Sequence, residues 1–452
     1  MSAASDLFHL SDDVLRNLAA EALTHARSLG ASDAAAEVSE STGLSVTTRK
    51  MEVETIEHTR DKGLGITVYL GQRRGNASTS DLSAAAIRQA VEAAYNIARF
   101  TAPDDCAGLP NEADLERAPR DLDLFHPWAL TTDVAIDLAR RCERAAFAVS
   151  KNVVNSEGAN VYASAGHFVM ANTRGFMGGY PYSRHSISVT PIAKDDSGMQ
   201  RDDWYSASRV PTELAAPEAI GRYAAQRALA RLSARRVPSG SYPVLFEAPL
   251  ACGLIGSFVQ AASGGSLYRK TSFLVDALEQ PLFAKHIDIE EDPFIPRAQG
   301  SGPFDEEGVR GQRRKVVAGG VLRGYFLSSY SARKLKMQTT GNAGGAHNLR
   351  LHSTLTRPED DFAAMLRKLG TGLLVTELIG QGVNPVTGDY SRGAAGYWVE
   401  DGQIAYPVEE ITIAGNLRQM YADIVAVGAD VIVRGARTTG SVLIERMSVG
   451  GQ

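Results

Sequence analysis

Apolar residues recur every three or four positions through "SDDVLRNLAAEALTHARSLG", which opens on Ser11 and two acids and closes at Gly30. That spacing, with a cap at one end and a glycine at the other, predicts an amphipathic helix. The period then changes. "AAAEVSESTGLSVTTRKMEVETIEHTRDKGLGITVYLGQRRGNASTS" alternates in polarity, is rich in Val, Thr and Ile, and is punctuated by glycine. It predicts a meander of antiparallel strands. "DLSAAAIRQAVEAAYNIARF" returns to the helical period, with Asp81 or Ser83 as its cap. The polar, Pro- and acid-bearing "TAPDDCAGLPNEADLERAPRDLDLFHP" reads as a linker.

The same order then recurs without any residue-level repeat. A helix ("TTDVAIDLARRCERAAFAVS") precedes strand-like stretches ("ANVYASAGHFVMANTRG", "YSRHSISVTPIAK"), and a helix ("PEAIGRYAAQRALARL") closes the unit. After a second boundary at "SARRVPSGS", short strands and glycine turns dominate from Tyr242, with one clear helix at "RPEDDFAAMLRKLG". The expected class is α+β, with N-terminal helix and antiparallel-sheet layers followed by a strand-rich C-terminal domain. The expected division is an N-terminal α+β domain over 1–105, a linker over 106–126, a central α+β domain over 127–235 and a strand-rich C-terminal domain over 236–452.

A chain of 452 residues exceeds one ordinary core, which agrees with more than one domain. The composition, 44% hydrophobic and 22% charged, is that of a soluble globular protein. A net charge of -5 argues against nucleic-acid binding, which needs a clustered basic face. The one compact basic run, Arg313, Arg314 and Lys315, adjoins the hairpin signal "VVAGGVLRGYF" and is expected at a solvated hairpin edge. Cys106, Cys142 and Cys252 are far apart, odd in number and without CxxC spacing. They fit a reducing cytoplasm and exclude a cysteine-based zinc knuckle. "MSAASDLFHLSDD" shows no basic region followed by an apolar one, so no secretory signal is expected. The long uncharged stretch "APLACGLIGSFVQAASGGSLY" (248–268) is broken by glycines, serines and Gln260, and falls short of a membrane span.

Familiar catalytic signatures are missing. No GxSxG occurs, since "GDYSRG" places Asp389 two residues before Ser391. Walker and HExxH motifs are absent, and "GLGITV" lacks the third glycine of a dinucleotide fingerprint. His347 and His352 lie five apart, which on a strand points them to opposite faces. His167 and His185, on predicted strands, suit core or surface polar roles better than catalysis. The adjacent carboxylates Glu290/Glu291 and Glu409/Glu410 would diverge on a strand. Glycine-rich loops can also line a cleft for an extended peptide or simply turn the chain. Gly341, Asn342, Gly344, Gly345 and His347, in "MQTTGNAGGAHNL", are the substrate-cleft candidates on that basis.

Three blocks carry a resemblance: "EHTRDKGLGITVYLGQRRGNASTSDLSAAAIRQAVEAA", "SYSARKLKMQTTGNAGG" and "VTELIGQGVNPVTGDYSRGAAGYWVEDGQIAYPVEEITIAGNL". In order, and over nearly the whole chain, they resemble the TldD/PmbA family, and within it the PmbA (TldE) branch. The resemblance implies a cytoplasmic two-chain metallopeptidase that degrades or processes unfolded peptides, with TldD as the homologous partner subunit. It also implies zinc on the TldD side, in an HExxxH helix with a cysteine near the C-terminus. By register Leu254 and Val259 stand in place of the two histidines here and Ile255 in place of the glutamate. After "AGNLRQMYADIV" no cysteine follows. The expectation is a subunit with no catalytic residue and no metal or cofactor of its own, inactive by itself. Its expected partners are a TldD-like subunit and unfolded peptide, without nucleic acid or membrane. A homodimer is the alternative assembly for the isolated chain, and a regulatory protein acting without TldD, for instance on gyrase, the alternative function.

Overall fold

Alternation over the first strands builds a long hairpin whose inward positions carry small and branched hydrocarbons. A computed structural model describes residues 7–451. In it helix α1 (Asp12–Ser28), capped by Ser11, precedes β1 (Asp33–Arg49), β2 (Glu52–Leu70) and β3 (Arg73–Thr79). The turn joining β1 to β2 holds Lys50 and Met51 at φ 51° and 68°, a left-handed conformation that costs non-glycine residues about 1 kcal/mol each. Glu143 offsets that cost. Its buried carboxylate accepts the Lys50 and Met51 main-chain N–H groups at 2.8 and 2.6 Å, and Arg140 Nε donates to the Met51 carbonyl at 2.8 Å.

Helix α2 (Ala84–Phe100), capped by Ser83, packs on β3 so closely that a Cβ at Gly75 would stand 2.1 Å from the Ala94 carbonyl. Next come α3 (Thr132–Phe147), β4 (Val153–Asn172), β5 (Met177–Asp195), β6 (Gly198–Arg201), β7 (Trp204–Ser208) and α4 (Pro217–Ala230). Their strands do not form a second sheet. β1 pairs with β4 from Ala35↔Asn172 to Thr48↔Ala159, so both helix–strand–helix units share one seven-stranded sheet, ordered β3-β2-β1-β4-β5-β6 with β7 on β5. One face of that sheet carries α1 and α2 at one end and α3 and α4 at the other.

The strand-rich part begins with β8 (Gly240–Phe246), α5 (Ala248–Ala262), α6 (Gly264–Tyr268) and β9 (Ile287–Asp292). A tight hairpin of β10 (Arg314–Ala318) and β11 (Val321–Leu322), α7 (Ser329–Lys334) and β12 (Asn348–Ser353) follow. Then come α8 (Phe362–Leu369), β13 (Gly372–Ile379), β14 (Asp389–Glu400) and β15 (Gln403–Asn416). α9 (Leu417–Ala422), β16 (Ile424–Val427), β17 (Ile432–Arg434), β18 (Arg437–Thr439) and β19 (Val442–Gly450) complete the chain. They form two six-stranded sheets, ordered β15-β14-β13-β8-β19-β16 and β11-β10-β9-β12-β18-β17. A single hydrophobic core draws on both sheets and on α5 between them. No described helix is long and apolar enough to cross a membrane.

Of the basic run 313–315, expected at a solvated hairpin edge, Arg314 alone departs from that expectation. β10 has strands on both sides, and the acids of β9 lie opposite its cations. Arg314 turns inward to the buried Glu291 at 2.7 Å, whereas Lys315, on Asp288 at 2.8 Å, and Arg313, on Asp292, both stay exposed.

Removing the strap at the first hairpin is expected to loosen its tip. Hydrogen bonds to a buried charge contribute about 1.5–3 kcal/mol, so Glu143→Ala should lower the unfolding free energy by about 2–3 kcal/mol. Chemical denaturation reads the loss, and faster amide exchange at Lys50 and Met51 locates it.

Candidate functional site

Strand β8 delivers Glu247 to the N-terminus of α5, where a carboxylate is favoured by the helix dipole and Pro249 costs no hydrogen bond in the first turn. Arg227 of α4 grips that carboxylate with two bonds, 2.7 and 3.1 Å, and also meets Asp202 at 3.1 Å. Arg231 reaches Asp202 at 3.7 Å and bonds Glu377 of β13. Burial works against the charge on Arg227, but Glu247 and Asp202 outweigh it and hold its pKa above the ordinary arginine value. The start of α5 is therefore fixed by ion pairs that cross from the first sheet's helices to the strand-rich part.

The side chains of α5 are hydrocarbon where they face inward. Leu254 and Ile255 are 3% and 1% exposed, and Phe258 packs edge-on against Phe283 and Phe326 at 5.5 and 6.0 Å. Tyr421 donates its hydroxyl to the Leu254 carbonyl at 3.0 Å. Val259 is half-buried against the same core, so the inward stripe runs through Ala251, Leu254, Ile255, Phe258 and Ala262. On the other side Gly256 lies under a guanidinium: a Cβ there would stand 2.5 Å from Arg437 Nη1. Among the described residues no carboxylate pairs with Arg437. Cys252 donates to the Arg437 carbonyl at 3.8 Å, and burial pushes its thiol up to about 11, which leaves it unreactive. Among the described residues no group of three or more His, Cys, Asp or Glu side chains converges to hold a metal ion.

The five glycine-loop candidates are held together in a polar knot beside β9. Asn342, 4% exposed, donates to Glu291 Oε1 at 2.7 Å and to the Gly345 carbonyl at 3.1 Å. Its own Oδ1 accepts from Arg314 and Thr340. His347 donates its main-chain N–H to Glu291 at 2.9 Å, while its ring nitrogens face the Gly341 and Gly300 carbonyls at 3.0 and 3.3 Å. Gly341 (φ 69°) and Gly344 (φ 90°) are needed for close approach. A Cβ would come within 2.4 Å of the Arg310 carbonyl at the first and 2.5 Å of Glu306 at the second. Gly345 (φ 121°) faces open space. The loop buttresses 305–307: Ala343 N–H donates to Asp305 Oδ2 at 2.9 Å, and Glu306 N–H to the Ala343 carbonyl at 3.2 Å.

Beyond that buttress opens a cleft of about 2090 Å³, between the face of the seven-stranded sheet turned away from the helices and the strand-rich part. Glu37, Tyr69, Arg74, Glu306, Tyr330 and Lys334 are among the side chains lining it; the glycine-loop candidates and α5 do not. The segment read as a linker forms its rim, tied down by α7. Asp104 accepts from Lys334 Nζ at 2.8 Å and from the Tyr330 hydroxyl at 2.7 Å, and Arg333 donates to the Gly108 carbonyl at 2.9 Å. Those partners hold the Asp104 carboxyl down to about 2. Burial, then the charge of Glu306, raises the pKa of Glu37. The cleft residues come from separate segments and share no motif, which is why sequence reasoning passed over them.

The remaining histidines and acids are not gathered. His167 stacks on Phe8 at 4.1 Å beside Glu40, His185 bonds the His126 carbonyl at 2.8 Å, and His352 is half-buried on β12. Glu290 and Glu291 diverge, the first toward Lys315 and the second into the knot; Glu409 and Glu410 part likewise, to Gln200 and Arg236.

The chain matches the PmbA/TldA metallopeptidase domain 1 over residues 34–98, its central domain over 125–232 and its C-terminal domain over 239–451. It is 46% identical over 440 residues to the Metalloprotease PmbA of Escherichia coli, covering 97% of each chain. A crystal structure from Bacteroides thetaiotaomicron superposes with a TM-score of 0.91 at 24% identity, over 98% of this chain and 100% of that one. TldE from Thermococcus kodakarensis superposes with a TM-score of 0.83 at 19% identity, over 96% and 99%. The two structures speak for the fold alone.

Asp305 offers a pH test of the buttress. Burial and the neighbouring Glu307 push its carboxyl up to about 7, against three main-chain N–H donors. Because 7 lies above the ordinary 3.8, the folded chain keeps the extra proton between those values. The stability it contributes is full below about pH 4 and is lost as pH rises through about 7. Asp305→Asn does not titrate, so the difference in unfolding free energy between the two proteins should drift across that window by up to ~1.4 kcal/mol per pH unit. Urea denaturation at stepped pH measures it; a flat difference contradicts the assignment.

Proposed function

The chain belongs to the TldD/PmbA family of metallopeptidases, on its PmbA branch, and we propose that it is the zinc-free subunit of a two-chain peptidase. A TldD-like homologous subunit holds the metal, and this chain shapes the space in which an unfolded peptide is presented to it. The observation that carries the reading is the inward face of α5. A zinc site takes three or four nitrogen, sulfur or oxygen donors, and hydrolysis on it takes a base for the bound water. Leu254, Ile255 and Val259 supply none of these, and the first two are sealed in the core. The zinc that the family implies does not fit this helix.

The peptide side of the reading is supported by the cleft, which is large and carries both signs of charge on its walls. A cleft of that kind suits a backbone-led, sequence-tolerant grip better than a small-molecule pocket, which is mostly apolar. The unpaired Cys106, Cys142 and Cys252 fit a cytoplasmic assembly.

Two outcomes test this. The full chain purified alone should carry no stoichiometric zinc and cleave no unfolded peptide, whereas its complex with a TldD-like subunit should do both. Zinc and peptidase activity in the isolated chain overturn the proposal. Within the complex, His347→Ala with His352→Ala should leave peptide turnover nearly intact, where loss of a general base would cost about 10²–10⁴-fold.

A further inference from the structure

Strand β2 carries two glycines, Gly63 and Gly65, that nothing in the chain's own packing requires. Neither stands in the left-handed region. A Cβ at Gly65 would meet nothing within 4 Å, and one at Gly63 only the Thr79 carbonyl, at 3.4 Å. Gly75 on the neighbouring strand is the contrast, since α2 leaves it no room for a side chain. Glycine weakens a strand interior, and it is found at a bulge, at a tight bend, or where a ligand or another backbone comes close. β2 pairs with β1 through both glycines, and with β3 from Leu64 onward, without a shift in register.

Leu64, Ile66 and Val68 pack toward α1 and α2, so by alternation Gly63, Gly65 and Thr67 open on the cleft. This floor continues to Tyr69 over about 20 Å, room for about six residues of extended chain. Across the sheet Gly65 lies between Glu37 of β1 and Ser78 of β3. Glu306 stands on the opposite wall of the same cleft. Among the described residues neither the Glu37 nor the Glu306 carboxylate has a hydrogen-bond or ion-pair partner. The charge of Glu306 nevertheless reaches Glu37 and, after burial, is the second cause of its raised pKa. The cations of the cleft stand apart from this pair. Arg74 faces Tyr69, further along β2, Lys334 is taken up by Asp104, and Lys62 belongs by alternation to the other face.

We propose that the floor from Gly63 to Thr67 receives the main chain of an extended peptide, and that Glu37 and Glu306 take one of its cationic groups between them, an N-terminal ammonium or a lysine or arginine side chain. A backbone can settle closely where the strand beneath has no side chains, whatever sequence it carries. The carboxylates then add a preference for positive charge, because a cation between them relieves their repulsion and an anion adds to it. The length of the floor favours a chain over a compact ligand. The inference rests on the peptide-binding part of the proposed function and names the substrate class that this cleft prefers.

Fluorescence anisotropy on the full chain tests it with short unfolded peptides of glycine and serine. One is capped at both ends and carries a lysine, one has glutamate in its place, and one is neutral but for a free N-terminus. One or both amine-bearing peptides should bind about tenfold more tightly than the glutamate peptide, and which of them does so identifies the source of the cation. Glu37→Gln should remove most of that preference and Glu37→Lys should invert it. Gly65→Val places a strand-favouring side chain where nothing of the chain stands in its way, so the thermal melt should hold or rise while peptide affinity falls about tenfold or more. A folding defect would not give that combination. Equal binding of all three peptides, affinity untouched by Gly65→Val, or binding that appears only when a TldD-like subunit is added overturns the inference. In the complex with such a subunit, Glu37→Gln and Gly65→Val should each lower kcat/KM for the preferred peptide. Full turnover in both variants overturns the inference and leaves the proposed function standing. A wild-type complex that cleaves no peptide overturns the proposed function, and the anisotropy series still decides the subsite.

Discussion

The buried ion cluster of Arg227, Arg231, Asp202, Glu247 and Glu377 is the constraint on which the arrangement of the two halves depends. Taking such groups out of water is costly, and the cluster survives because each arginine meets two carboxylates; stranding one partner typically costs 3–5 kcal/mol. Its value lies in geometry more than in net stability. Two turns of α4 reach across to the first residue before α5 and to β13, so the first sheet and the strand-rich part are registered against each other at one place. Trp204, 5.4 Å under Arg227, and Arg434, stacked on Trp204 and Tyr205, seal the same seam.

From that anchor α5 runs into the core between two sheets. A helix so enclosed can carry only side chains that pack, and its composition follows: alanines, leucine, isoleucine and phenylalanine inward, glycine where Arg437 crosses. Polar donors pointing inward here would have to be desolvated without partners, at several kcal/mol each, unless a metal took them up. Hydrocarbon at Leu254 and Ile255 is thus what enclosure between two sheets requires, and it supports the proposed reading of a subunit that shapes a site.

The cleft arises by a different route. A sheet needs only one face covered to be stable, and here the helices cover one face while the other is covered only in part, where Phe168 and Tyr180 meet Phe304, and stays open at the cleft. The glycine loop keeps Asp305, Glu306 and Glu307 in place on one wall, and the Asp104–Lys334 tie keeps the rim on the other.

Much of this was legible along the chain. Helices α1 to α4 and α8, and the first hairpin with its neighbour β3, follow from periodicity, caps and turn residues, which act over a few positions and so leave a local signature. That Leu254, Ile255 and Val259 carry hydrocarbon and no donor atom was legible too, because side-chain chemistry at a given position is read directly from the sequence. Other features were settled by the fold: that both helix–strand units share one sheet, that Arg314 turns inward to Glu291, and that Gly341 to His347 buttress the cleft without lining it. Each depends on pairing between residues tens to hundreds of positions apart, such as β1 with β4 or Arg227 with Glu247, and strand and charge pairing of that range is written in no local pattern. The sequence by itself determined the local elements and the hydrocarbon character of one helix; tertiary structure alone decided which faces were covered, which charges met and where an opening was left.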